Sequence, residues 1–298
     1  MRITEGRIAS DFLYSVNNTR EQINDMQNQL ASGKRVEKPS DDPEAADMIL
    51  RLSASLDRNE QFTRNVTDGQ SMLSSAADAL DGVQQLLQQL QTTMTEATNG
   101  AQANAISTFG DTVDGYLSQA VSLANTDFNG KYLFGGTQTQ TVPYSIATNP
   151  SGPPSQTVTY NGNSGSISYM VGEGQTQTVN VTGQAAFNGT ALFDLMIKIR
   201  DNLKAGVEPS AADFTSVQNM LQGVLNASGN VGAYLQNLDT SASHLQTQNT
   251  ELQSLRSVQQ DADIASATLN LKQEQTALDA ALSAGAQILP KSLVDFLT

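Results

Sequence analysis

Residues 264–289 read IASATLNLKQEQTALDAALSAGAQIL, and this stretch decides the fold class. Its apolar residues recur at helical steps of seven, four or three, and the spacing continues to the end of the chain. These residues are Ile264, Leu271, Leu278, Leu282, Leu289, Leu293 and Phe296. Such spacing places side chains on one stripe of an α-helix, and the stripe is shielded from water only when another helix lies along it. The stretch therefore predicts a long helix with a helical partner.

The beginning of the chain carries a matching stripe. Its members are Ile8, Phe12, Val16, Ile23, Met26 and Leu30. We expect the two chain ends to pair with each other or with copies of themselves, because both stripes need a helical partner. Together the two stripes form the predicted assembly interface.

Composition excludes several classes of protein. The chain has 298 residues, a formal charge of −14, no cysteine and no tryptophan. The absence of cysteine removes disulfides, thiol catalysis and cysteine-ligated zinc. No basic residue lies between Asn65 and Gly130, which argues against nucleic acid as a partner because phosphate binding needs clustered Lys and Arg.

Membrane association is not indicated by the sequence. No apolar run is long enough to span a bilayer, and the first residues lack the apolar segment of a cleaved signal peptide. The amphipathic ends could lie on a membrane surface, but such helices usually carry many Lys and Arg on the polar face. The C-terminal stretch has only Arg256, Lys272 and Lys291. Partner helices are therefore the favoured interpretation.

Helix start and stop signals predict four helices in the first part of the chain. We expect helices at 5–31, from Asp42 to about residue 65, at 70–98 and at 102–125. Asp42 is the expected N-cap of the second helix, with a proline at its first position. The expected seam of the third helix comprises Met72, Ala76, Leu80, Val83, Leu87, Leu90, Met94 and Ala97.

The composition and residue pattern of the chain change after Asp127. Glycine and proline become frequent, and short alternating runs at 157–160, 167–171 and 177–181 predict strands. Helix returns at 191–204. Ser210 and Asp213 predict a capping box for the next helix, with Gly229 as its stop. A long C-terminal helix is then expected from about residue 230 to residue 288.

These signals predict a mainly α fold, with a long helical coiled-coil stem, a helical bundle and an inserted small β-domain. We expect residues 1–40 and 256–298 to form terminal coiled-coil arms. Residues 41–127 and 190–255 would form the bundle, and residues 128–189 a β-rich surface domain.

No group of side chains predicts an enzyme. His244 is the only histidine, so a Ser-His-Asp triad or a histidine-based zinc site lacks its members. Asp41 and Asp42 precede a proline, where a helix cap explains them better than a metal does. Asp261 and Asp263 are expected on a solvated helix face. We predict no catalytic, cofactor or metal site.

Three stretches resemble the flagellin superfamily. QLASGKRV at 29–36, followed by SDDP at 40–43, is similar to the family's leucine-serine-glycine-basic stretch and its Asp-Asp helix start. DADIA at 261–265 is similar to the family's C-terminal D-x-D signature. FNGKYLFGGT at 128–137 resembles the hook–filament junction branch rather than flagellin proper, as does the ending SLVDFL at 292–297.

The resemblance implies a structural adaptor of the bacterial flagellum. Copies would form a ring through the terminal helices, between the first hook–filament junction protein and the flagellin filament. It also implies an extracellular location after export, without a cleaved signal peptide, through the flagellar type III apparatus with a dedicated chaperone. No enzyme activity, cofactor, nucleic acid or membrane is expected to be involved. The alternative is a flagellin that forms the filament itself.

Overall fold

The structure is a computed structural model that describes residues 2–99, 103–149 and 152–288. Its helices are α1 (Arg2–Ser32), α2 (Pro43–Thr98), α3 (Ala103–Ala124), α4 (Gly183–Phe187), α5 (Ala191–Lys204), α6 (Ala211–Gln260) and α7 (Ile264–Ile288). Its strands are β1 (Asp127–Phe128), β2 (Lys131–Tyr132), β3 (Tyr144–Thr148), β4 (Gln156–Tyr160), β5 (Ser168–Gly172) and β6 (Gln175–Thr178). The mainly α fold with a small inserted β region is confirmed.

The chain divides into two compact units. The terminal unit comprises Met1–Arg58 with Gln248–Thr298, and the central unit comprises Asn59–Thr247. The boundaries fall within α2 and α6. The division into three domains stays a prediction.

Helix α2 begins where the sequence predicts and continues further than expected. Asp42 is its N-cap, because the carboxylate accepts a hydrogen bond from the Ala45 amide at 3.0 Å. The predicted break between residues 65 and 70 is wrong. Gly69 lies inside the helix, where a Cβ would be only 2.8 Å from Val179 Cγ1 and 3.2 Å from Leu238 Cδ1. The glycine therefore permits a close approach and does not end the helix.

The core of the central unit is built on the predicted helical seam. All eight seam residues of α2 from Met72 to Ala97 are buried. They belong to one apolar cluster with residues of α3, α5 and α6. The three-and-four spacing therefore identified the buried face of this helix correctly.

The inserted β region consists of three antiparallel pairs in the described residues. β1 pairs with β2, β5 with β6, and β3 with β4, in which Tyr144 lies opposite Tyr160. Strand β3 was not predicted from the sequence. Only Tyr144 of this strand is buried, so its apolar pattern was too weak to be recognised.

Aromatic packing joins the β region to the helices that follow it. The Tyr144 ring lies 4.7 Å from the Phe193 ring and 5.8 Å from the Phe187 ring, measured between centroids. The Tyr144 hydroxyl donates to the Gly189 carbonyl at 3.2 Å. Burial raises the pKa of this hydroxyl above its ordinary value. The β region therefore shares the core of the central unit.

A buried arginine also ties the β region to the helices. Arg200 on α5 is 2% exposed. It donates to Asp114 on α3 at 2.7 Å, to the neighbouring Asp201 at 2.7 Å and to Gln156 on β4 at 2.6 Å. A further bond reaches the Ser155 hydroxyl. The charge is thus paired and fully hydrogen-bonded, as a buried ion must be.

The last two helices differ from the sequence expectation at two points. The Ser210–Asp213 capping box is confirmed, because the Ser210 amide donates to the Asp213 carboxylate at 3.0 Å and the Asp213 amide to Ser210 Oγ at 3.3 Å. The predicted stop at Gly229 is wrong, since α6 continues to Gln260. The continuous C-terminal helix is also wrong. The chain leaves α6 after Gln260, and Asp263 starts α7 by accepting from the Ala265 amide at 3.0 Å.

Candidate assembly interface

Helices α1 and α7 pack against each other within the terminal unit. Val16 on α1 and Ala267 on α7 are buried. The Phe12 ring lies so close to Gly285 that a Cβ there would be 2.7 Å from Phe12 Cε1. Glycine inside a helix is about 1 kcal/mol less favourable than alanine, and this close approach explains its presence. The expectation that the two chain ends pair with each other is confirmed for the described residues.

The predicted stripe residues differ in how far this pairing buries them. The half-buried ones are Phe12, Ile23, Met26, Leu30, Leu271 and Leu278. Ile264 and Leu282 remain 48% and 41% exposed. Ile8 lies in α1, and its side chain is outside the described part. Leu289, Leu293 and Phe296 lie outside the described residues. The role of all thirteen side chains in assembly stays a prediction.

The two exposed stripe residues share one edge of α7. Ile264 and Leu282 are separated by a whole number of helical turns, so they project in the same direction. Packing against α1 leaves this apolar edge open in the single chain. Full burial of a side chain of this size contributes about 1.5–3 kcal/mol. The edge is therefore suited to contact with a further helix.

A second set of exposed apolar side chains lies outside the predicted stripes. Leu13, Tyr14 and Leu269 are 57%, 74% and 60% exposed. They are not members of the predicted stripes, so the spacing of a single apolar helix face does not identify them. Nine of the fourteen exposed large apolar side chains in the described residues belong to the terminal unit, which is the smaller of the two. Exposed apolar surface is therefore concentrated in that unit.

The helix breaks of the terminal unit lie side by side. The Arg35 amide donates to the Gln260 carbonyl at 2.7 Å, and the Ala262 amide donates to the Gly33 carbonyl at 2.9 Å. Gly33 has a positive φ of 71°, which glycine adopts readily. The segment after α1 is therefore bonded to the segment between α6 and α7.

Acidic residues at these breaks act as helix caps. Hydrogen bonds from the Ala45 amide and the Arg35 side chain hold the pKa of Asp42 below its usual value. Bonds from the Ser266 hydroxyl and amide do the same for the pKa of Asp263. The expectation that Asp263 lies on a solvated helix face is therefore wrong: it precedes the helix and caps it.

The candidate residues for chemistry are His244 and the acidic residues at the helix breaks. His244 is on an exposed face of α6. Asp41 accepts from the Glu37 and Lys38 amides at 3.0 and 2.8 Å, which closes the turn before α2. Within the described ranges, no three His, Asp or Glu side chains are grouped as metal ligands would be. Among the described helices, none is both long enough and apolar enough to cross a bilayer.

Comparison with known proteins connects this architecture to a family. Residues 5–139 match the bacterial flagellin N-terminal helical region. The chain is 29% identical over 254 residues to flagellar hook-associated protein 3 of Escherichia coli strain K12, covering 78% of this chain and 75% of that protein. It is 25% identical over 268 residues to the flagellin of Bacillus subtilis strain 168, covering 82% and 86% respectively.

A solved structure supports the same relationship at the level of the fold. The crystal structure of Bacillus cereus FlgL superposes with a TM-score of 0.59 at 21% identity, over 70% of this chain and 99% of that one. The match to the flagellin N-terminal region and the similarity to a hook-associated protein agree with this common fold. The chain is therefore similar to proteins of the flagellin superfamily, among them hook-associated protein 3.

Proposed function

We propose that the chain is a structural adaptor of the bacterial flagellum that joins the hook side to the flagellin filament. Copies would assemble as a ring through their terminal helices. The observation that carries this proposal is the apolar edge that the α1/α7 pair leaves exposed, formed by Ile264 and Leu282. Similarity to a hook-associated protein supports the location in the flagellum.

Exposed apolar side chains, and not charge, distinguish the terminal unit as a contact surface. The central unit has 14 acidic and 5 basic residues, whereas the terminal unit has 16 acidic and 11 basic residues. Copies that met through two acidic central units would repel each other. The terminal unit carries about the same net charge per residue, so its exposed apolar side chains, and not its charge, favour contact there.

The geometry of a ring also suits unlike contact surfaces. A heterologous interface between one surface of a copy and a different surface of the next gives a ring when the rotation closes. The exposed edge of α7 and the adjacent off-stripe side chains Leu13 and Tyr14 of α1 offer two such surfaces. Each copy could then contact two neighbours.

We assign functional parts to the three predicted domains. Residues 1–40 and 256–298 would form the inner tube of the ring, and residues 41–127 and 190–255 the surrounding bundle. Residues 128–189 would lie on the outer surface. The adaptor has no catalytic role in this proposal.

The remaining partners follow from the same role. The ring contacts the first hook–filament junction protein on one side and flagellin on the other. The chain reaches this extracellular place through the flagellar type III apparatus, accompanied by an export chaperone.

The second candidate is a flagellin that forms the filament itself. It is favoured by the 25% identity to a flagellin over most of the chain. The two candidates differ in one property. A flagellin polymerises with itself without limit, whereas an adaptor stops at a ring and accepts a different protein next.

Electron microscopy separates the two candidates. The purified protein is concentrated alone, and separately mixed with isolated hook ends that carry the first junction protein. The adaptor should stay unpolymerised alone, dock on the hook ends and then permit flagellin to grow from them. Long filaments from the protein alone would establish the flagellin alternative, and failure to dock would overturn the adaptor proposal.

A further inference from the structure

Part of the central unit carries almost no charge. We define this part, residues 132–193, as the neutral segment, because Glu173 is the only charged residue between Lys131 and Asp194. The central unit as a whole has 14 acidic and 5 basic residues. Two copies that meet through its acidic helices repel each other, whereas two copies that meet through the neutral segment do not.

Strand β3 of the neutral segment has an outer edge that faces away from β4. In an antiparallel pair, the backbone groups of alternate residues point toward the partner strand. The Asn161 amide donates to the Pro143 carbonyl at 2.8 Å, so the odd-numbered residues of this stretch bond to β4. The backbone groups of Tyr144, Ile146 and Thr148 therefore point to the outer edge.

A side chain closes only the first part of this edge. The Asn125 side chain donates to the Tyr144 carbonyl and accepts from the Tyr144 amide, both at 2.8 Å. Among the described residues, none bonds to the outward backbone groups of Ile146 and Thr148. We call these groups the open edge of β3. Unpaired groups of this kind are a template for the addition of another strand.

The strands beside β3 are less accessible at their outer edges. Asn65 on α2 donates to the Met170 carbonyl of β5 at 2.8 Å, so a helix side chain occupies that edge. Strand β4 packs against α5, and its Gln156 accepts a hydrogen bond from Arg200. Neither β4 nor β5 therefore offers an edge as free as that of β3.

Strand β6 has a second free edge. The Val179 amide donates to the Ile167 carbonyl at 2.9 Å, so the alternation directs the backbone groups of Thr176 away from β5. Thr176 is exposed, and within the described part of the chain its outward groups have no backbone partner. The neutral segment thus presents two unlike strand edges.

We infer that the open edge of β3 pairs with the outer edge of β6 in the neighbouring copy of the flagellar ring. Unlike edges give a heterologous contact, which lets each copy bond to two neighbours and suits a ring. The lack of charge removes the repulsion that identical acidic chains otherwise meet. The inference rests on the proposed function, to which it adds a contact outside the terminal helices.

Proline at either edge tests the pairing. Thr148→Pro and Thr176→Pro each remove an outward N–H group that has no partner among the described residues of the single chain. Proline is tolerated at edge positions whose N–H group faces solvent, so both variants should fold. Each should nevertheless block the addition of a strand, because one donor of the contact is lost.

A charge at the open edge gives a second test that needs no proline. Ile146→Lys places a lysine on the edge, a feature that natural edge strands use against strand pairing. Met170→Lys is the matched control. Ile146 and Met170 are 38% and 50% exposed, both lie in the neutral segment, and the outward carbonyl of Met170 is already bonded to Asn65.

Amide hydrogen exchange is the first measurement. In the unassembled protein, the amides of Ile146 and Thr148 should exchange at least about tenfold faster than that of Ala147, which points toward β4. After docking on hook ends, exchange of the two outward amides should slow by about tenfold or more. Equal rates before docking would contradict the open edge, and unchanged rates after docking would overturn the pairing.

Persistence on hook ends after dilution is the second measurement. Thr148→Pro, Thr176→Pro and Ile146→Lys should dock but dissociate about tenfold faster, as expected when one or two hydrogen bonds are lost. Met170→Lys should dissociate normally. The double proline variant should dissociate no faster than either single variant, because both substitutions remove the same contact. Additive losses would place the two edges in different contacts and overturn the pairing.

The outcomes separate this inference from the proposed function. If the unsubstituted protein docks and the proline and Ile146→Lys variants persist equally long, the pairing is refuted while the adaptor proposal stands. If the unsubstituted protein instead forms filaments alone, the proposed function fails, and exchange of the Ile146 and Thr148 amides within those filaments decides the pairing. If the protein assembles in neither way, both are refuted.

Discussion

Replacing Arg200 with methionine should destabilise the central unit strongly. The methionine fills much of the volume of the arginine stem but supplies none of its donors. It removes the bonds to Asp114, Asp201 and Gln156, at 2.7, 2.7 and 2.6 Å. The start of β4 would then lose its polar attachment to α3, while Ser155 keeps its bonds to Asp201 on α5.

The burial of the partners sets the magnitude. Removing one member of a buried ion pair costs about 3–5 kcal/mol, because the partner is left charged and unpaired. The Asp114 side chain is 41% exposed, so water can solvate it after the substitution. Asp201 is 13% exposed and keeps a 2.8 Å bond from the Ser155 amide. We therefore expect the lower end of the range, about 3 kcal/mol.

Urea unfolding followed by near-ultraviolet circular dichroism measures this loss. The chain has no tryptophan, and six of its seven tyrosines lie in the central unit, so the signal reports on that unit. The unfolding midpoint should fall while its slope with urea stays the same. Arg64→Met is the control. Arg64 pairs with Glu60 on the surface of α2, and losing an exposed pair should cost less than about 1 kcal/mol. A loss below that figure for Arg200→Met, or equal losses for both variants, would refute the reasoning.

Three further predictions concern particular contacts. Gly285→Ala should speed amide exchange in α7, because overpacking against Phe12 costs about 1–3 kcal/mol and outweighs a helix gain of at most about 1 kcal/mol. In a Phe12→Ala background the same change should slow exchange. If exchange is not slowed in that background, the close contact between Phe12 and Gly285 is contradicted. Ser210→Ala should destabilise the central unit by about 1 kcal/mol and lower its Tm by about 2–4 °C, since Asp213 loses its capping partner; an unchanged Tm would show that the cap contributes nothing. Burial raises the pKa of Tyr144, so the folded state binds this proton more tightly than the unfolded state does. Stability should hold below about pH 10 and decline above it; spectrophotometric titration should show Tyr144 ionising only with unfolding, and ionisation near pH 10 in the folded protein would contradict its burial.

The sequence predicted those features that depend on local spacing. The seam from Met72 to Ala97 follows from helical period alone. The caps at Asp42 and Ser210 follow from residue types next to a helix start. Each of these signals lies within a short segment of chain, and each is confirmed by the structure.

The features that sequence reasoning missed depend on neighbours distant in the chain. Gly69 looked like a helix break, and only its contacts with Val179 and Leu238 explain why the helix continues. Arg35 donates to the Gln259 carbonyl, which is 224 residues away in the chain. No local pattern carries such a pairing.

The predicted assembly interface depends partly on local spacing and partly on neighbours that are distant in the chain. The stripes identified which helices pair, because their period is local. They could not identify Tyr14 or Leu269 as exposed, since exposure depends on where the partner helix lies. The open edge at Ile264 and Leu282 became visible only once α1 was in place against α7.

Docking of two matched variants on hook ends tests the central claim most directly. Leu282 in the terminal unit and Leu225 in the central unit are 41% and 39% exposed, so replacing either with glutamate places a charge on an equally accessible site. If the exposed edge of α7 mediates assembly, Leu282→Glu should abolish docking counted by electron microscopy, and Leu225→Glu should leave it intact. Normal docking by Leu282→Glu, with docking lost in Leu225→Glu, would contradict assembly through the terminal helices.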